Sequence, residues 1–204
     1  MNRFTRIVCF ILLISALMLL ALGEQTKSQF PGFGNSSKAA AERISGDRFT
    51  VSSRTDKGAT VYSTRGLPKE MLRAIDRGLT NLFAIAKNRN NRFTRSLRHR
   101  DYSIFVGNAD RTKDSKGKYS PDIAVAAAQY AGTKYDKGGY IYAAGMVISP
   151  SGRSFLIAEH TSNFDRVERV VRYEGEHIVL YHNDRARFRN TMDHSRGGGH
   201  PILK

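Results

Sequence analysis

The sequence predicts an α+β fold in which a small, mostly antiparallel sheet packs against two main helices. Two stretches, 68–87 and 164–183, carry apolar residues at spacings of three and four, which is typical of amphipathic helices. Short runs of β-branched and aromatic residues lie before and between these stretches and flank turn residues, which is typical of β-hairpins. The two periodicities together favour helices and strands in one domain.

The first predicted strands surround the first helix. Residues 49–51 and 59–62 flank a turn that ends at Gly58, and they predict a hairpin. Pro68 suits the first turn of the helix that follows. Residues 102–106 come after a basic loop and predict a single strand.

The segment before the second helix is less uniform. Residues 109–121 are polar and predict a surface loop, and the Ala-rich run 123–130 fits a helix or a strand. The mostly apolar runs 140–148 and 154–158 flank the turn residues 149–152 and predict a second hairpin.

Residues 1–23 have the composition of a secretory signal peptide. Arg3 and Arg6 precede an apolar run of about 16 residues that ends in small residues. We expect cleavage after Gly23 and a secreted or periplasmic location. The apolar run is shorter than the roughly 20 residues that span a bilayer, and an uncleaved membrane anchor is the alternative interpretation.

Two further segments follow the signal peptide. Residues 24–46 are rich in Gln, Lys, Ser, Asn and Gly and predict a mobile polar linker, with a short helical turn at 38–44. Residues 47–204 then form the single predicted α+β domain.

Charge and cysteine content restrict the function classes. The chain has 33 Lys and Arg residues against 18 Asp and Glu, and removal of Arg3 and Arg6 leaves a net charge of +13. This charge favours anionic envelope partners such as phospholipid head groups, lipopolysaccharide or acidic polymers. The basic residues are scattered and match no specific nucleic-acid module. The only cysteine, Cys9, lies in the predicted signal peptide, which excludes a disulfide or a thiol nucleophile from the mature chain.

The second helix carries a carboxylate where an apolar side chain is expected. Its apolar arc comprises Val167, Val170, Val171, Ile178 and Tyr181. Glu174 falls in the middle of this arc, His177 lies one turn further on, and His182 lies near the other edge. A Glu-x-x-His pair on one helical face presents an oxygen and a nitrogen to one metal ion. The alternatives are a hydrogen bond from a Tyr or Arg to Glu174, and histidines that only pack the helix end.

Residues 173–177, Tyr-Glu-Gly-Glu-His, resemble the HExxH helix of zincin metallopeptidases. The resemblance covers these five residues as a motif and about 68–200 in the order of elements, and it implies a zincin-like core. It places Glu174 as the general base, and therefore as the catalytic residue, and His177 as a zinc ligand. The first ligand position holds Tyr173 instead of histidine.

The C-terminal tail supplies two more candidate metal ligands, His194 and His200. Gly197, Gly198 and Gly199 allow a tight turn, and Pro201 stops a helix, so we expect His200 to fold back against the helix. Two candidate sets are Glu174 with His177 and His200, and His177 with His182 and His194. Either set leaves a position open, as in catalytic zinc sites. A polar terminus without a metal is the alternative.

Glu159 and His160 form another carboxylate and imidazole pair, directly after the second hairpin. In a zincin-like arrangement the strand before the active helix borders the substrate groove, which would bring this pair near the site. The favoured interpretation is a solvent-exposed strand end.

The sequence thus predicts an exported, zincin-like, zinc-dependent peptidase acting on a peptide or protein substrate, or a degenerate relative of one. A protein of another class is the alternative: a non-catalytic basic envelope or secreted domain that binds an anionic partner. Tyr173 favours the second hypothesis. The inward Glu174 and the histidine-rich tail favour the first.

Overall fold

Both amphipathic stretches form helices in the computed structural model of the chain. Pro68 precedes the first of them in an extended conformation, and the side chain of Asn163 caps the second by accepting a hydrogen bond from the backbone N–H of Arg166 at 3.0 Å. The described residues form four α-helices: α1 (Ser37–Ser45), α2 (Lys69–Ala86), α3 (Phe164–Asn183) and α4 (Arg185–Thr191).

The structure describes residues 37–88, 91, 93, 95, 97–109, 122–126, 128–134, 136–160 and 162–203. They belong to one compact unit, 33–204. The predicted signal peptide at 1–23 and nearly all of the predicted loop at 109–121 lie outside the described residues. Among the described residues, no helix is long and apolar enough to cross a membrane.

In the described part of the chain the strands form two sheets. They are β1 (Val51–Arg54), β2 (Thr60–Ser63), β3 (Ser103–Gly107), β4 (Ile123–Ala126), β5 (Tyr140–Ala143), β6 (Gly145–Ser149) and β7 (Ser154–Ala158). The main sheet has the order β1-β2-β3-β7-β6, and β4 pairs with β5 in a separate two-stranded sheet. The run 123–130, which the sequence left unassigned, therefore contains strand β4.

The α+β class is confirmed, but the expectation of a mostly antiparallel sheet is wrong. The pairs β1–β2 and β6–β7 are antiparallel, as predicted for hairpins, whereas β2–β3 and β3–β7 are parallel. The parallel strands β3 and β7 lie at the centre and are buried along most of their length, because packed structure covers both faces of the sheet.

The two faces of the main sheet belong to different apolar clusters. Ile104, Val106 and Phe155 pack with helices α2 and α3 on one face. Phe105 and Leu156 point to the other face and pack with α1 and with residues of β4 and β5. This alternation follows from the period of two along a strand, and it places α3 directly on the sheet.

Helix α1 lies in the segment predicted to be a mobile linker. Ala41 is fully buried against the sheet, and the carboxylate of Glu42 accepts a hydrogen bond from the backbone N–H of Phe49 at 3.0 Å. The packed part of the chain therefore begins at or before Ser37 and not at residue 47. The short run of Ala40, Ala41 and Ile44 provides the apolar face that the polar composition concealed.

The continuous apolar run at 140–148 does not form one strand. It divides at Ala144 into β5, which pairs with β4, and β6, which pairs with β7. Gly145 begins β6 where the edge of the main sheet meets α3, and a Cβ atom there would lie 2.7 Å from Cγ of Glu174. The absence of a side chain at Gly145 therefore allows Glu174 to lie against the edge strand.

Candidate metal centre

Six successive residues of α3, 175–180, are buried, so that this part of the helix is covered on all sides. They are Gly175, Glu176, His177, Ile178, Val179 and Leu180. Gly175 faces Leu82 of α2, where a Cβ atom would come within 2.6 Å of the leucine Cδ2. An ordinary amphipathic helix leaves one face to solvent. Here the C-terminal tail contributes to covering that face.

The tail turns back onto α3 through a compact series of backbone hydrogen bonds. The N–H groups of Gly198 and Gly199 donate to the carbonyls of Asp193 and Thr191, each at 3.0 Å. A Cβ atom on Gly198 would lie 2.6 Å from the Asp193 carbonyl oxygen and would also collide with the Thr191 carbonyl oxygen, so the turn requires glycine at this position. The turn places His200 against the side chains of α3.

Three histidines from α3 and the tail converge. One ligand atom from each of His177, His194 and His200 lies within 4.8 Å of the others. The ring centroid of His200 is 4.8 Å from that of His177 and 4.8 Å from that of His194. His177 is buried, His200 is half-buried and His194 is exposed, so the cluster extends from the interior to solvent.

The electrostatic environment favours the neutral form of His177 and of His194. Burial lowers the pKa of His177 to about 3, and the neighbouring rings of His200 and His194 lower it further. Burial and His200 also lower the pKa of His194. Neutral imidazole is the form that ligates a metal. Nδ1 of His177 is buried and has no hydrogen-bond partner among the described residues.

Glu174 lies beside this cluster, on the wall of an open cavity of about 830 Å³. Burial raises the pKa of its carboxyl group to about 8, so in the metal-free protein the neutral acid is stable near neutral pH. A cation close to Glu174 would lower this pKa towards the physiological range. The side chain can therefore hold or release a proton near neutral pH.

The cavity also has an aromatic and basic rim. His194 and His200 line it together with Tyr173, Lys134 and Lys137. Tyr173 is 37% exposed, and its ring stacks on that of His200 with centroids 4.5 Å apart and planes 15° apart. The residue at the first ligand position of the motif thus packs against one of the three clustered histidines.

His182, the other predicted ligand, does not join the cluster. Its Nε2 lies 3.2 Å from the carbonyl oxygen of Pro150, in the turn between β6 and β7. His182 lies five residues after His177, so its side chain points about 140° around the helix axis from that of His177. The candidate set of His177, His182 and His194 is therefore not formed.

Glu159 and His160 are not an exposed strand end, and they do not line the cavity described above. Glu159 pairs with Arg65 at 2.7 Å, and its side chain is only 7% exposed. Nε2 of His160 accepts a hydrogen bond at 3.1 Å from Nε of Arg166, which also pairs with Asp122. Burial, followed by the charge of Arg166, lowers the pKa of His160 to about 4.

Glu176 is the polar residue of this region that sequence reasoning missed. It is fully buried, its Oε1 accepts a hydrogen bond from the backbone N–H of Ile202 at 2.7 Å, and its Oε2 lies 2.8 Å from Nδ1 of His200. Glu176 lies about 200° around the helix from Glu174, on the side expected to face solvent. Its position directly before His177 in the sequence was the one signal that could have identified it.

The three histidines fit a small divalent cation. Atoms no more than 4.8 Å apart can all lie within about 2.8 Å of one point, whereas a zinc–nitrogen bond is about 2.0–2.1 Å. A contraction of less than about 1 Å per ligand therefore completes a three-imidazole set. The unpartnered Nδ1 of His177 also fits, because a buried polar atom without a hydrogen bond is unfavourable unless a ligand satisfies it.

Comparison with known proteins identifies no relative. No protein-family model matches the chain, and neither the curated proteins nor the solved structures give a match. The resemblance to zincins therefore rests on residues 173–177 and on the order of elements.

Proposed function

We propose that this protein is an exported zinc-dependent hydrolase of peptide or related amide bonds, with His177, His194 and His200 as the zinc ligands. The convergence of these three imidazoles beside an acidic side chain and an open cavity carries the proposal. Zinc is preferred because neutral imidazole nitrogens suit it, and because three protein ligands with one open position are characteristic of catalytic zinc sites.

The protein supplies proton transfer and substrate binding. Zinc bound here would act as a Lewis acid and would make a water molecule a stronger nucleophile at neutral pH. Glu174 lines the same cavity and is the general base: its pKa of about 8 lies near neutral pH, and a cation beside it would lower that pKa and favour the carboxylate form that accepts a proton. Tyr142 and Tyr173 offer the substrate apolar contact area at the rim.

The departure from the HExxH pattern is compensated by the tail in this proposal. A zincin has histidine at the position of Tyr173, whereas here His200 stacks on the Tyr173 ring and provides the additional imidazole. The proposed enzyme is therefore zincin-like in its helix and different in the origin of its ligands.

The first experiment is metal analysis of the untagged protein, expressed from the full-length sequence, by mass spectrometry. We expect about one zinc per chain, its loss in His177→Ala, and its retention in His182→Ala, a matched control because His182 lies on the same helix outside the cluster. No zinc in the wild type after zinc is offered, or equal zinc in both variants, would overturn the site.

Activity requires a separate assay with a library of quenched fluorescent peptides. Glu174→Gln should retain zinc and lose activity by about 10²-fold or more, as expected when a general base is removed. Zinc binding without hydrolysis of any peptide would reject the hydrolase assignment and leave a non-catalytic metal-binding domain.

A non-catalytic domain that binds an anionic partner is the second candidate. The observation that favours it is the position of Lys134 and Lys137 on the cavity rim, in a chain of strong positive charge. Binding to lipopolysaccharide or to phosphatidylglycerol vesicles that weakens steeply with salt, together with an absence of zinc, would support this candidate.

A further inference from the structure

Glu176 makes two contacts with the tail from inside the protein. One carboxylate oxygen accepts the N–H of Ile202 at 2.7 Å, and the other lies 2.8 Å from Nδ1 of His200. Although Oε2 of Glu176 and Nδ1 of His200 are 2.8 Å apart, their geometry is not that of a hydrogen bond, and neither atom has a hydrogen-bond partner among the described residues. The buried Glu176 side chain thus contacts the tail at two points, the backbone of Ile202 and the imidazole of His200.

A hydrogen bond between Oε2 of Glu176 and Nδ1 of His200 would determine which nitrogen of His200 is available to a metal. A carboxylate oxygen without a proton only accepts hydrogen bonds, so an imidazole nitrogen that bonds to it carries the proton. A proton on Nδ1 leaves the lone pair of the neutral ring on Nε2. Stacking on Tyr173 restricts the plane of the ring, with 15° between the two planes.

The burial of Glu176 argues against a purely incidental contact. Its side chain is 0% exposed, and a carboxylate out of water is unfavourable unless donors satisfy it. The Ile202 N–H donates to one oxygen of Glu176, and Nδ1 of His200 lies 2.8 Å from the other. The side chain of Ile202 is itself buried at 7% exposure, which fixes the tail where the carboxylate meets it.

We propose that Glu176 is a positioning residue for the metal centre: it holds His200 in the Nδ1-protonated tautomer and directs Nε2 towards the ion bound by His177 and His194. This inference rests on the proposed zinc site and adds to it a residue that contacts one of the ligands without binding the ion. A carboxylate behind a ligating histidine fixes the ring and raises its basicity, and loss of such a residue weakens metal affinity by about 10- to 100-fold.

The decisive variant is Glu176→Gln. The amide oxygen can still accept the Ile202 N–H, while the amide nitrogen can only donate to Nδ1 and so selects the opposite His200 tautomer. We expect the zinc Kd to rise about 10- to 100-fold. Glu159→Gln is the control. It replaces another largely buried carboxylate, one that pairs with Arg65 and does not line the cavity, and it should leave the zinc Kd unchanged.

Two measurements separate positioning from general destabilisation. Long-range ¹H–¹⁵N NMR of the metal-free protein should show Nδ1 protonated at His200 in the wild type and Nε2 protonated in Glu176→Gln. In a His200→Ala background, Glu176→Gln should produce no further loss of zinc affinity, measured by competition with a chromophoric chelator.

The outcomes distinguish this inference from the proposed function. Zinc binding by the wild type with an unchanged Kd in Glu176→Gln would overturn the role of Glu176 and leave the three-histidine site intact. An equal loss of affinity with and without His200 would also overturn it. A wild type that binds no zinc would overturn the proposed function and this inference with it.

Discussion

The α2–α3 contact and the C-terminal tail both pack on helix α3, but different forces hold them. Gly78 and Gly175 bring α2 and α3 into close apolar contact, with Val171 and Leu82 filling the space. The tail is held by backbone hydrogen bonds of its glycine turn and by the carboxylate of Glu176. Helix α3 therefore stabilises the fold through one face and holds a polar cluster through another.

The largest effect should come from the helix contact, with Gly78→Ala. A Cβ atom there would lie 2.7 Å from the carbonyl oxygen of Glu168 and 2.8 Å from Cβ of Val171, and these atoms belong to a backbone and a branched side chain that cannot easily move. We expect a loss of about 2–3 kcal/mol in the free energy of unfolding, measured with urea.

Gly175→Ala is the matched control for this prediction. Its Cβ would lie 2.6 Å from Cδ2 of Leu82, the end of a side chain that can rotate, and 3.7 Å from Cδ2 of Leu79, which is an ordinary contact. The gain of about 1 kcal/mol in helix propensity should offset most of the strain. Equal destabilisation by both substitutions would contradict the assignment of Gly78 as the point of closest helix contact.

A smaller effect on stability should come from acidification, through His160 at the start of α3. Its folded-state pKa of about 4 lies below the ordinary value of 6.5, so the unfolded chain binds the proton first as the pH falls. Stability is therefore lost between about pH 6.5 and pH 4, by about 2 kcal/mol. Integrated in full, the shift from 6.5 to about 4 sets an upper limit of about 3 kcal/mol on this loss. Urea unfolding of His160→Gln should show a shallower loss over this range. Parallel pH profiles of variant and wild type would contradict the prediction.

Gly198→Ala in the tail should have the smallest effect on the free energy of unfolding. It should nevertheless weaken zinc binding clearly. Displacement of the turn moves His194 and His200 away from His177 and should raise the zinc Kd at least about tenfold, or about 1.4 kcal/mol. The free energy of unfolding of the metal-free protein should change by less than about 1 kcal/mol, because the turn lies outside the helix contact.

Gly199→Ala tests whether this effect is specific. No atom lies within 4 Å of the Cβ position at Gly199, so zinc affinity should not change. If Gly198→Ala destabilised the fold as much as Gly78→Ala, the tail would belong to the same cooperative core as the helix pair.

Local patterns were sufficient to predict α3 and most of α2. The bounds 164–183 agree with the structure, because apolar spacing and the cap at Asn163 both act within a few residues. The parallel pairing of β2, β3 and β7 was not predictable in this way. Strand direction in a sheet depends on partners far along the chain, and Ser103 pairs with Ser154.

The sequence predicted that histidines of α3 and the tail come together, but it did not predict correctly which residues belong to the site. His177, His194 and His200 followed from a Glu-x-x-His spacing and a tail that can turn. His182 was wrongly grouped with them because proximity in sequence does not overcome the direction of a helical side chain. Glu176 was missed because the cover over its face of α3 comes from Ile202, in a segment without periodic pattern.

The parallel centre of the sheet also bears on how fast this protein folds. Strand β7 pairs with β3, and β3 with β2, across long stretches of chain. Such non-local pairing is associated with folding in milliseconds to seconds. Zinc held by α3 and the tail would then bind after the rate-limiting step, and in kinetic experiments it should slow unfolding while leaving the folding rate unchanged.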